Sequence, residues 1–176
     1  MKIAVFGKLR SGKSEVCKFI QEILKCDVLD FGDALKECLA IAYPNSKYVK
    51  DRNLLIGFGQ HLRMFDNDIW VNALKHRIAS RNTKNIIVTG VRQSNEYDML
   101  KCLGFVFVKV EAPERSRIDR STKAGDKFNL ENLNNITETE LDDFKYDFLI
   151  TNDGGFKDLI IDTNNVLDEI WESLNE

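Results

Sequence analysis

Eight residues near the start of the chain, Gly7-Lys8-Leu9-Arg10-Ser11-Gly12-Lys13-Ser14, constrain its fold more than any other stretch. They meet the pattern G-x-x-x-x-G-K-[ST] at every fixed position. A short apolar run over residues 2–6 precedes them and an amphipathic stretch over 13–24 follows, so strand, turn and helix come in the order this pattern needs. Glycine at both ends lets the backbone curl until successive N–H groups face one concavity, and the dipole of the following helix favours an anion there. The turn reads as a phosphate-binding loop, and it requires an α/β chain around it.

The rest of the sequence keeps that rhythm. Residues 27–31, 85–89, 105–110 and 148–151 are β-branched or aromatic runs too short for stable helices, which makes five predicted strands with the first. Between them, 34–42, 54–65, 69–80, 95–103 and 156–174 repeat apolar residues at helical spacing. Strands alternating with helices predict a parallel sheet covered on both faces, with ligands at the carboxyl ends of the strands. The expected fold is therefore α/β, a three-layer P-loop NTPase fold with a five-stranded parallel sheet. Two stretches break the alternation, a helical insert over about 32–82 and a polar stretch over 114–143. In an enzyme such excursions form an acceptor site and a lid. A chain of 176 residues with no linker-like tract reads as one domain, 1–176.

Composition narrows the partners. A net charge of -3 gives no general attraction to a polyanion, so small-molecule substrates are expected, with no nucleic acid and no membrane partner. No apolar run approaches membrane-spanning length, the N-terminus lacks the features of a signal peptide, and a cytoplasmic location is expected. Cys17, Cys26, Cys38 and Cys102 form no C-x-x-C pair and read as reduced, mostly buried thiols.

The loop alone does not separate kinases from GTPases or motor ATPases. The chain holds no N-K-x-D or D-x-x-G motif and has little room for the extra domains of a motor, which leaves a small kinase. Within the loop, Gly7, Lys8, Arg10, Ser11, Gly12, Lys13 and Ser14 are the expected phosphate-binding residues for ATP. Lys13 is also catalytic, reaching the β- and γ-phosphates, and Ser14 serves Mg²⁺.

Taken together, GKLRSGKS, FGDALKE after the second strand, GQHLRMFDNDIWVNAL, VTGVRQSNE and ITNDGG after the last strand resemble the P-loop nucleoside and nucleotide monophosphate kinases. The third and fourth of these resemble the deoxynucleoside monophosphate kinases of phage type in particular, with dephospho-CoA kinase a relative. The resemblance runs in order over nearly the whole chain. It implies transfer of the γ-phosphoryl group of ATP to a (deoxy)nucleoside monophosphate. The alternatives are transfer to a hydroxyl, as in dephospho-CoA kinase, and a non-catalytic ATP-binding module. In one place the chain departs from its relatives, with Gly90 where they commonly carry Asp before Val-Arg, so Mg²⁺ is expected to rest on Ser14, phosphates and waters.

The remaining candidates carry two readings each. Asp30 and Asp33 flank the end of the second strand, either as acceptor-side carboxylates, Asp30 catalytic, or with Asp33 as a helix-start charge. The resemblance adds Lys36 to that acceptor-side element. Arg63 offers a planar fork for an acceptor phosphate or lies on a solvated face, with Gln60 nearby. Trp70 flanks a base or fills the core. Arg92 contacts phosphate or acceptor, or pairs with Glu96. His61 and His76 have no partner at metal or triad spacing. By resemblance, Asn152 and Asp153 lie beside the adenine; otherwise they cap the last helix. If the 114–143 stretch is helical, Arg117, Arg120, Lys123 and Lys127 share one face with Asp119 away from it. The relatives then imply a lid in which Arg117 and Arg120 are catalytic and Lys123 binds ATP phosphate, against the reading of a solvated surface helix.

Overall fold

A computed structural model describes residues 1–44, 52–125 and 140–175. The elements run β1 (Lys2–Phe6), α1 (Lys13–Leu24), β2 (Asp27–Asp30), α2 (Gly32–Ala42), α3 (Arg52–Arg63), α4 (Ile69–Ala79), β3 (Ile86–Thr89), α5 (Ser94–Cys102), β4 (Val106–Glu111), α6 (Glu114–Lys123), a short 3-10 turn (Glu140–Asp142), β5 (Phe148–Thr151) and α7 (Phe156–Ser173). The five expected strands are present within a residue or two of their predicted ends. Helix α6 is the element that periodicity alone left open, because its polar sequence ERSRIDRSTK holds a single large apolar residue.

The five strands form one parallel sheet in the order β2-β3-β1-β4-β5. Strand β1 is central: Ile3 registers with Ile87 on one side and Val106 on the other. Strand β4 continues the sheet to β5, where Val110 registers with Ile150. All of Ile3, Ala4, Val5 and Phe6 are buried, so both faces of β1 are covered, as parallel sheets require. On one face Ile3, Val5, Ile87, Val108 and Ile150 meet Val16 and Ile20 of α1 and Leu159, Leu167 and Ile170 of α7. On the other, Phe6 and Phe107 stand edge to face, and Tyr97 of α5 lies over Phe107 with ring centroids 4.3 Å apart. Helix α1 thus leaves β1 on one face while α5 crosses on the other. The carboxyl end of β1 is therefore a switch point, the place where α/β sheets gather ligands.

The chain divides into two compact units, Met1–Val28 with Thr83–Glu176, and Leu29–Asn82. In the second unit α2 packs against α3 and α4. Trp70 is buried there and its indole N–H donates to the Gly59 carbonyl at 3.2 Å. Gly59 itself is where the side chain of Leu35 reaches α3, 3.5 Å from where a Cβ would stand. All four cysteines are free thiols, but only Cys17 and Cys26 are buried; Cys38 and Cys102 sit on exposed helix positions. Burial pushes the Cys26 thiol above its ordinary range.

Candidate active site

The phosphate loop joins β1 to α1, and the structure explains both of its glycines. A Cβ on Gly7 would stand 2.1 Å from the Val110 carbonyl oxygen, and one on Gly12 would stand 2.2 Å from Asn152 Nδ2. Both also hold φ values, +147° and +107°, that side-chain-bearing residues rarely adopt. Arg10 takes φ +60° without the excuse of being glycine, a conformation that costs about 1–2 kcal/mol. Gly12 gives α1 no side-chain cap, leaving the first turn of the helix turned to the loop for an anion. Lys13 Nζ lies across the loop, donating to the Lys8 carbonyl at 2.7 Å.

Ser11 is fully buried, and its Oγ is the one buried side-chain polar atom among the described residues that finds no hydrogen-bond partner. An orphaned hydroxyl inside a curl of backbone amides fits a phosphate oxygen as its missing partner. Beside the loop, at the ends of β4 and β5, a cavity of about 350 Å³ is lined by Lys8, Ser11, Glu111, Arg117, Asp142 and Thr151, a volume within the range of small-ligand sites. Lys8 forms an ion pair with Asp142 at its edge, 2.7 Å apart.

The first unit brings several other candidates to the loop. Arg117 is buried, with Nη1 3.5 Å from the Leu9 carbonyl. Arg120 Nη1 lies 3.3 and 3.4 Å from the carbonyls of Arg10 and Ser11. Its Nη2 lies 3.1 and 3.0 Å from the backbone and side-chain oxygens of Asn152. Asn152 is buried and donates from Nδ2 to the Ser11 carbonyl at 2.8 Å, so its side chain is aimed at the loop. Asp153 is exposed one residue on. Lys123, by contrast, is exposed and ion-paired with Asp119 four residues back, so Asp119 shares its face rather than opposing it. Lys127 lies outside the described residues.

Arg92 is half-buried at the end of β3, just after Gly90, whose φ of +79° is one that Asp would hold only under strain. The Arg92 backbone N–H donates to Glu96 at 2.7 Å, and Glu96 is almost fully buried as the reciprocal cap of α5. That buried carboxylate is legible in hindsight as the Gln-x-x-Glu spacing of Gln93 and Glu96.

In the second unit, Asp30, Asp33 and Lys36 form one cluster. Asp33 accepts from the Asp30 N–H at 3.0 Å and Asp30 from the Gly32 N–H at 2.8 Å. Lys36 Nζ stands 3.5 and 3.7 Å from the two carboxylates. Asp33 is thus a helix-start charge that also braces Asp30. Arg63 is half-buried at the end of α3, with Nη1 3.7 Å from where a Gly59 Cβ would be, and Gln60 is half-buried one turn before it. Trp70 is buried, and its polar edge is spent on the Gly59 carbonyl. Among the described residues no group of three or more His, Cys, Asp or Glu could hold a metal ion, and no helix is long and apolar enough to cross a membrane.

A five-stranded parallel sheet of this order, with a glycine-cradled phosphate loop at the end of its central strand, defines the P-loop nucleotide-binding fold. Residues 3–141 match the protein family described as an AAA domain, and the chain belongs to that family. Among solved structures, TT1252 from Thermus thermophilus superposes with a TM-score of 0.62 at 20% identity, over 95% of this chain and 96% of that one. The shikimate kinase of Acinetobacter baumannii in complex with shikimate gives 0.63 at 16% identity, over 97% and 93%. A gluconokinase from Sinorhizobium meliloti 1021 gives 0.62 at 18%, over 99% and 95%. At such identities the likeness shows the fold alone. No curated protein matches the chain in sequence.

Proposed function

We propose that the protein is an ATP-dependent phosphotransferase that moves the γ-phosphoryl group of ATP to a (deoxy)nucleoside monophosphate, giving the diphosphate. The observation that carries phosphoryl transfer is the loop: two glycines that admit no Cβ, an uncapped helix start, a lysine across the mouth and a buried hydroxyl lacking a partner. Lys13 follows the β- and γ-phosphates and neutralises charge as the phosphoryl group leaves ADP, while the loop amides and Ser11 fix its position. Ser14 would hold Mg²⁺ arriving with ATP, which would supply further neutralisation of the phosphate oxygens. A monophosphate acceptor is already an anion and needs no strong base; it needs a fixed cation. Arg63 supports that reading, as a half-buried planar fork.

A second reading rests on the carboxylate pair. Asp30 is held by the Gly32 N–H and stands beside Lys36, an arrangement suited to orienting and deprotonating an acceptor hydroxyl. Two of the similar structures are a shikimate kinase and a gluconokinase, and shikimate and gluconate both offer hydroxyl groups. An ADP-release assay over all ribo- and deoxynucleoside monophosphates, dephospho-CoA, shikimate and gluconate decides. Acceptor-dependent turnover highest with a monophosphate upholds the proposal, and turnover confined to a hydroxyl acceptor replaces it with the second reading. ATP binding without turnover on any of them makes the chain an ATP-binding module.

A further inference from the structure

A loop that turns its N–H groups inward must turn carbonyls outward, and buried carbonyls require donors of their own. For the carbonyls of Arg10 and Ser11 the donors are two side chains from distant parts of the chain, Arg120 and Asn152. The guanidinium of Arg120 is spread over four oxygens, those of Arg10 and Ser11 and both oxygens of Asn152, at 3.0 to 3.4 Å. Asn152 closes the ring by donating to Ser11 at 2.8 Å, and its own backbone N–H is fixed to the Glu111 carbonyl at 2.7 Å. The residues so held include Arg10, the one non-glycine of the loop with a positive φ, +60°, and Ser11, the neighbour of Gly12.

We propose that Arg120 and Asn152 form a latch that presets the curl of the phosphate loop, making Arg120 a positioning residue for nucleotide binding rather than a cation offered to the transferring phosphoryl group. The proposal rests on ATP being the ligand of the loop. Its chemical ground is the fork: to reach a phosphoryl oxygen, Arg120 would have to release the carbonyls that hold the strained loop in shape. Lysine, a single point donor, cannot span the same set. Because the latch acts on the backbone that receives the inner phosphates, it supports ATP and ADP alike, whereas a cation at the transferring group would distinguish them.

The test is isothermal titration of ATP and of ADP without acceptor, with hydrogen exchange of the loop amides, on wild type, Arg120→Ala, Arg120→Lys, Asn152→Ala and the double alanine variant. The latch predicts that affinity for both nucleotides falls by a similar factor, about 10- to 100-fold. Lysine restores little, the double variant loses no more than the worse single one, and the loop amides exchange faster. A fall in kcat with both affinities unchanged, or a loss confined to ATP, overturns it and returns Arg120 to the transition state. If wild type binds neither nucleotide, the phosphotransfer reading fails, and the exchange rates alone judge the latch: faster in the variants upholds it, unchanged overturns it.

Discussion

Around Gly12 the outward carbonyls of Arg10 and Ser11 are handed fixed donors from α6 and from the end of β5, whereas Asp30, Asp33 and Lys36 satisfy one another on a half-exposed surface. The first arrangement leaves one buried group, Ser11 Oγ, waiting for a partner. In the second, the charges are already paired. A site built the first way is shaped before its ligand arrives, and its ligand class can be read from the backbone. A site built the second way takes its specificity from whichever charges an acceptor is able to recruit.

The largest test of that contrast is Lys13→Ala. Removing one preorganised cation should lower kcat by about 10²–10³ while the melting temperature holds to within a few degrees, read by coupled ADP release and thermal unfolding. A variant with near wild-type kcat would mean the preset loop is not where the chemistry is. Gly12→Ala comes next. Its Cβ would meet Asn152 Nδ2 at 2.2 Å in a conformation that costs about 1–3 kcal/mol, so nucleotide binding and melting temperature should fall together. Unchanged titration curves for that variant would show that the cradle is looser than its geometry.

On the other side of the comparison, Arg63→Ala should lower kcat/KM for the acceptor by roughly 1.5–3 kcal/mol and leave the KM for ATP in place. Equal damage to both substrates would remove Arg63 from the acceptor. The smallest effect belongs to Gly57, in the middle of α3, where an added Cβ meets nothing within 4 Å. Gly57→Ala should stabilise the fold by about 0.4–1 kcal/mol, a rise of roughly 1–4 °C. Two glycines with opposite responses would separate a residue the loop needs from one that α3 merely tolerates.

Much of this was legible in the sequence because it is local. Strand and helix periodicities need only a few neighbours, and the loop motif fixes Gly7, Gly12, Lys13 and Ser14 within eight residues. What was not legible depends on residues far apart in the chain. Asn152 reads equally as an adenine-side residue or a helix cap, and nothing near it in the sequence announces its hydrogen bond to Ser11. Arg120 reads as a lid cation in the sequence, which gives no sign that the fold sets its guanidinium against Arg10, Ser11 and Asn152. Trp70 has two readings until α3 and α4 pack and the Gly59 carbonyl takes its N–H. Cys38 and Cys102 show the same limit: thiols are usually buried, but these two stand on outward helix faces that composition does not reveal.

The sheet order carries a consequence for how the protein comes into being. Strand β1 is made before the other four strands, yet its neighbours are β3 and β4, and Ile3 registers with Val106. At about 5–20 residues per second, the central strand waits roughly 5–20 s on the ribosome for that partner, carrying an unbroken apolar run the whole time. The Val110 carbonyl against which Gly7 folds is later still. The phosphate loop, made before the strands that shape it, is therefore among the last parts to take its form, and in refolding experiments the return of nucleotide binding should mark the closing of the sheet rather than the formation of α1.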